Sequence, residues 1–175
     1  DSRGHSCGRR RSLSPLLSSQ ADVGIGISVD PLNVRFTHAD ISGHFHNGNA
    51  LDKTIKSVIN GQLQAEHISA ASPPELVLHP SGKVYSLSNR RLFVYRVLRT
   101  LGECTSMHAK IYRFDDERVQ SKKVDTRSQK VMSKWDRAFT TTNDGHTVNV
   151  RNGSEFSESQ GSASLTFRWS PVSDD

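Results

Sequence analysis

The sequence predicts an α+β fold, with a helix-and-strand extension following a mixed α/β core region. Three observations carry this. Short runs of strand formers recur at Val34–Phe36, Glu75–Leu78, Lys83–Leu87 and Met107–Phe114. Between them, apolar residues fall at helical spacing in two stretches, Leu51–Leu63 and Phe93–Leu101. Pro and Gly punctuate the joins at Gly61, Pro73-Pro74, Pro80-Ser-Gly82 and Gly102.

Taken in order, residues 1–30 are expected to be a tail. The first twenty hold six Ser, four Arg and one acidic residue, with Arg9-Arg10-Arg11 followed by Ser12 and Ser14. That composition suits a transit-peptide remnant, a phosphorylatable basic tail or a plain flexible end. The chain starts at Asp1 without an initiator Met, as a processed product or a fragment would. Gly24 and Gly26 are too sparse for a phosphate-cradling glycine loop. A first strand follows at Val34–Phe36. Leu51, Ile55, Val58, Ile59 and Leu63 then define an amphipathic helix over residues 51–60, stopped by Gly61.

Pro80-Ser-Gly82 turns Glu75–Leu78 back as a hairpin with Lys83–Leu87. Next comes a helix that starts at Ser88-Asn89, both preferred N-cap residues, and stops at Gly102. Phe93, Val94, Val97, Leu98 and Leu101 share one face of it, and Arg96 and Arg99 are expected on the other; Leu92 falls on the polar side. Residues 31–114 are read as the core domain and 115–127, almost wholly polar, as a linker. In the extension, residues 128–175, a helix is expected over 128–140 with Val131, Met132, Trp135, Ala138 and Phe139 on one stripe. Asn143-Asp-Gly145 turns into a strand at 147–150. Alternation of Ala163, Leu165, Phe167 and Trp169 predicts a further edge strand.

Charge narrows the function classes. The net charge is +5, but residues 83–137 hold fourteen basic and six acidic residues, a net +8, while residues 138–175 carry −3. The excess sits where Arg90 and Arg91 open a helix, and helix N-termini offer free N–H groups and a positive dipole end to anions. Ser88, Asn89, Arg90 and Arg91 are therefore the candidate phosphate or nucleotide site. Arginine grips phosphate bidentately, which lysine does not. The competing reading is that an arginine here clamps a neighbouring carboxylate. Arg96, Arg99, Lys110 and Arg113 would extend the site into a nucleic-acid surface, whether DNA or RNA. Lys122, Lys123, Lys130, Lys134 and Arg137 are expected to continue that nucleic-acid surface.

His38, His44 and His46 cluster beside Asp40, and His44 and His46 would share a face in an extended segment. Surface loop histidines are the plainer alternative, and no metal site is assigned. Two cysteines, Cys7 and Cys104, make neither a disulfide framework nor a thiolate zinc site, so an intracellular, reducing location is expected. No apolar run is long enough to span a membrane.

The strand–helix–strand–turn–strand–helix–strand order over residues 33–114, with Ser81-Gly-Lys-Val-Tyr-Ser-Leu87 leading into Ser88-Asn-Arg-Arg91, resembles the ParB/sulfiredoxin superfamily. The resemblance implies a small mixed sheet with helices. It also implies a turn at Ser88–Arg91 that holds nucleotide phosphates in the ParB branch, with Arg91 matching the family arginine. A nucleotide carried with Mg²⁺ is the cofactor it suggests. Relatives that transfer phosphate place a carboxylate near the first strand, which makes Asp40 the candidate general base of a phosphotransferase or nuclease. Ser88 replaces the family glycine, and no cysteine stands in the turn, so sulfiredoxin chemistry is excluded. The pattern Phe36-Thr-His … Asn89-Arg-Arg-Leu-Phe … Arg137-Ala-Phe-Thr-Thr resembles an uncharacterised eukaryotic branch, consistent with the extra helix. A third expectation is a non-catalytic subunit whose tails order on protein partners.

Overall fold

The computed structural model describes residues 24–126, 129–152 and 154–156, and the backbone of Glu158–Ser159 and Thr166–Phe167. Its elements run β1 (Ile25–Val29), a 3-10 turn (Pro31–Asn33), β2 (Val34–Phe36), β3 (Asp40–Ser42), α1 (Leu51–Ile59), a second 3-10 stretch (Ala65–Ser69), β4 (Glu75–Leu78), β5 (Val84–Ser86) and α2 (Asn89–Thr100). After these come β6 (Met107–Arg113), α3 (Glu117–Gln120), β7 (Lys122–Val124), β8 (Val131–Ser133), α4 (Lys134–Ala138) and β9 (Asn149–Arg151). The fold is α+β around a mixed five-stranded sheet of order β1-β6-β4-β5-β2. β1 runs antiparallel to β6, β6 parallel to β4, β4 antiparallel to β5, and β5 parallel to β2. The expected hairpin is present, in the register Leu76↔Ser86 and Val77↔Tyr85.

Successive strand residues point to opposite faces, and the sheet has a core on each side. On one face Leu76, Met107 and Ala109 meet Leu51, Ile55 and Val58 of α1 and the apolar residues of α2. On the other, Val77, Tyr85 and Tyr112 meet Val119 of α3 and Trp135 of α4. Trp135 lies stacked between His79 and Phe139, at ring-centre distances of 5.5 and 5.0 Å, with the edges of Tyr85 and Phe114 against it. Each fully buried large apolar side chain contributes about 1.5–3 kcal/mol.

Four expectations need correction. First, the expected tail contains β1. It reads as a tail because Gly24 and Gly26 carry no side chain, yet a Cβ at Gly24 would strike the Tyr112 ring at 2.6 Å. Second, α2 has no polar side along its middle: every residue from Leu92 to Leu98 is buried, including Arg96. Third, the expected linker carries α3, capped by the Asp116 carboxylate and anchored by Val119, and then β7. Fourth, the expected helix over 128–140 is β8 followed by the short α4. Ser133 caps α4 by accepting from the Asp136 N–H, which leaves Val131 on a strand and exposed. The basic tail at residues 1–23 and most of the predicted strand at 163–169 lie outside the described residues; Thr166–Phe167 pairs with Glu158–Ser159.

β2 is a sheet edge, and the Asn143-Asp-Gly145 turn seals it. The Phe36 N–H donates to the Gly145 carbonyl at 2.9 Å. Gly145 has φ +73°, and a Cβ there would run into the Phe36 backbone. The neighbouring Asp144 carboxylate pairs with Arg35 and accepts from Lys83 Nζ and the Tyr85 hydroxyl, each at 2.5 Å. The Lys83 and Tyr85 hydrogen bonds, with Arg35, hold Asp144 at a pKa of about 2. Burial, helped by Asp144, pushes Tyr85 up to about 12.

Candidate functional site

Between β5 and α2 the chain turns at Leu87-Ser88, and backbone and side-chain hydrogen bonds stitch this turn to the sheet. The Leu87 N–H donates to the Glu75 carbonyl, and Ser88 Oγ accepts from the Glu75 N–H at 3.0 Å. Ser88 thus holds β4 and does not cap α2 with its side chain, contrary to expectation. The side chain of Asn89 is likewise committed. Its Oδ1 accepts from the Thr37 N–H at 2.9 Å, and its Nδ2 donates to Thr37 Oγ1 at 2.8 Å. Thr37 Oγ1 in turn donates to the Ser86 carbonyl at 2.7 Å. Both residues are buried, so the end of β2 and the start of α2 are locked together. Ser88 and Asn89 both line the cleft, but the Asn89 side chain is committed to Thr37 and Ser88 Oγ already accepts from Glu75; beside them the turn offers the backbone N–H groups that a helix start leaves without an internal partner.

Arg90 and Arg91 fill the first turn of α2 beside a cleft of about 760 Å³. Arg90 Nη1 donates to the His44 carbonyl at 3.1 Å, which ties it to the loop after β3. Among the described residues the Arg91 side chain makes no hydrogen bond or ion pair. A third guanidinium, that of Arg151, also lines the cleft. It arrives through the parallel pairing of β9 with β3, where Arg151 lies opposite Ser42. Its side chain too has no partner among the described residues.

His38, His46 and His67 line the same cleft, as do apolar side chains of Ile41, Phe45, Leu63 and Ile68. Burial lowers the pKa of His38, and the Arg90 and Arg151 charges lower it further, so the ring is neutral at pH 7. Asp40 is the one carboxylate lining the cleft among the described residues. It is exposed, and its Oδ1 accepts from Asn149 Nδ2 at 2.8 Å. His44 contributes its carbonyl to Arg90 and is not part of the lining. Among the described residues no group of three or more His, Cys, Asp or Glu is placed to hold a metal ion.

Arg96, Arg99, Lys110 and Arg113 do not come together as the expected nucleic-acid surface beside the cleft. Arg96 is 3% exposed, donates to the Val34 and His146 carbonyls, and lies 4.9 Å over the Phe36 ring. Arg99 is bound to Asp30 at 3.1 Å. Arg113 pairs with Asp115 beside it, and Lys110 stands mid-strand on β6, opposite Gly26 and Glu75. These four belong to the core, to an ion pair at the far end of α2, and to β6, which lies between β1 and β4 in the sheet. Sequence reasoning missed Arg151 and His67. The one signal for Arg151 is a lone cation directly after the predicted strand at 147–150, in an acidic segment. His67 sits in a 3-10 stretch, which has no periodicity to read.

Among the described residues no helix is long and apolar enough to cross a membrane. No family model, curated protein or solved structure matches the chain.

Proposed function

We propose that the cleft at the start of α2 binds a small phosphate-bearing ligand, a nucleotide in the first instance. The observation that carries this reading is that Arg91 and Arg151, from segments far apart in sequence, line one cleft without partners among the described residues. An arginine clamping its own protein's carboxylate is the competing role, and Arg99 and Arg113 fill it elsewhere. With Arg90 and the backbone N–H groups of the first turn beside them, charge-assisted hydrogen bonds to phosphate oxygens follow. The apolar wall of Phe45, Leu63 and Ile68 gives a base or other flat group a place to lie. The resemblance to the ParB branch points the same way. Mg²⁺ riding on the phosphates would meet a carboxylate at Asp40, and one or two carboxylates are its usual protein share.

Calorimetric titration with nucleoside di- and triphosphates tests the reading. Each charge-assisted hydrogen bond contributes about 1.5–3 kcal/mol, so Arg91→Ala or Arg151→Ala should weaken binding about 10- to 150-fold. Absence of binding at low salt, or unchanged affinity in both variants, would refute it.

One observation favours chemistry as a second reading: the neutral His38 imidazole borders the same cleft and is able to accept a proton at pH 7. Nucleotide turnover lost in His38→Gln or Asp40→Asn would support a phosphotransferase or nuclease; binding without turnover would dismiss it.

A further inference from the structure

On the sheet face opposite α2, β7 and β8 form a separate two-stranded antiparallel ribbon, in the register Lys122↔Ser133, Lys123↔Met132 and Val124↔Val131. All three residues of β7 are exposed, and Val124 and Val131 stand opposite one another at 55% and 65% exposure. Among the described residues nothing covers this pair. Beside the ribbon runs a groove of about 570 Å³ whose lining includes Arg118, Lys123, Lys134 and Arg137 against one carboxylate, Glu117. The other nearby acids are engaged. Asp136 accepts from Ser133, Asp115 holds Arg113, and Glu75 holds Lys134. The side chains of Lys122, Lys123 and Lys130 make no hydrogen bond or ion pair among the described residues.

We propose that this ribbon is a docking element for duplex DNA, entering the major groove with its lysines on the flanking phosphates. Three features fit that partner. A two-stranded ribbon matches the roughly 12 Å width of the B-form major groove. Lys122 shares the Val124–Val131 face and Lys123 and Lys130 take the other, and because Lys122 and Lys123 lie on β7 while Lys130 directly precedes β8, positive charge borders both strands of the ribbon. A ribbon in a groove meets phosphates on both sides, whereas an acidic protein surface would engage one. The exposed Val124–Val131 pair is then available for apolar base edges such as the thymine methyl. A-form RNA closes its major groove to such an element.

Fluorescence anisotropy with a labelled 20-bp duplex, across a salt series, tests this on the full chain. We expect binding whose log–log salt slope becomes shallower by about 2–3 in the triple variant Lys122→Gln, Lys123→Gln, Lys130→Gln, since each phosphate contact contributes about 0.9. Affinity at low salt should fall at least tenfold, with circular dichroism unchanged because all three side chains are solvent-facing. Arg91→Ala should leave duplex binding intact, which separates this surface from the cleft. No binding at 50 mM salt overturns the proposal. So does binding that the triple variant leaves unchanged, equal affinity for duplex RNA, or equal affinity for an acidic polyglutamate peptide.

Discussion

Replacing Asn89 by Ala removes a side chain that serves two hydrogen bonds at the joint between β2 and α2. The Thr37 N–H, bonded to Asn89 Oδ1 at 2.9 Å, is left buried without a partner, at a cost of about 1–3 kcal/mol. The bond from Asn89 Nδ2 to Thr37 Oγ1 at 2.8 Å adds about 0.5–1.5 kcal/mol. The sum, about 1.5–4.5 kcal/mol, converts at about 4 °C per kcal/mol for a domain of this size to a fall in Tm of roughly 6–18 °C. Differential scanning calorimetry measures it, and Thr37→Val supplies the control. That variant keeps the N–H bond but removes the hydroxyl shared with Asn89 and Ser86, so the two substitutions should be non-additive by at least about 0.5 kcal/mol in a double-mutant cycle. A Tm change below about 3 °C for Asn89→Ala, or strict additivity with Thr37→Val, would show that this joint does not hold the helix start.

Three other places in the fold carry further predictions. Gly145→Ala forces an L-residue into φ +73° and drives its Cβ into the Phe36 backbone; urea denaturation should show a loss of at least about 2 kcal/mol together with detachment of the 143–146 turn. Trp135→Ala empties the centre of the second core and should cost about 3–5 kcal/mol, seen as raised hydrogen exchange in α3, β7 and β8. His38 has a folded-state pKa below 6.5, so the unfolded chain takes up its proton first and stability is lost as pH falls through 6.5. His38→Gln should flatten that slope of Tm between pH 7.5 and 5.5, and an unchanged slope would remove His38 as its source.

Much of the core was legible because its signals are local. The hairpin at 75–87 has its turn chemistry at Pro80-Ser-Gly82, and α1 has its stripe and its Gly61 stop at φ +70°. α2 was located correctly but oriented wrongly. A helical wheel assigns arginines to water, and nothing local says that strand β2 and the 143–146 turn will close over Arg96 and accept its donors. The helix expected over 128–140 failed for a related reason. Val131-Met132 followed by Trp135 and Phe139 satisfies a 3.6 period, but Lys123 and Val124 claim the first two as strand partners and Ser133 restarts the chain as α4. The candidate anion site was half legible. Arg90 and Arg91 announce themselves beside a helix start, whereas Arg151 joins them only through a pairing between distant strands.

That pairing has a kinetic consequence. Asp40 and Asn149 are 109 residues apart, so the β3–β9 ladder closes one of the longest loops in the described fold, and loop closure is the slow, entropically opposed step of assembly. On a ribosome, the five-stranded sheet has all its strands by Arg113, well before Arg151 emerges. The cleft is therefore finished last, and three residue pairs are all that β3 and β9 share. Such a short ladder is expected to open well below the global unfolding free energy. A ligand bridging Arg91 and Arg151 would clamp it shut, and slowed amide exchange at residues 40–42 and 149–151 would record that closure before any spectroscopic change in the core.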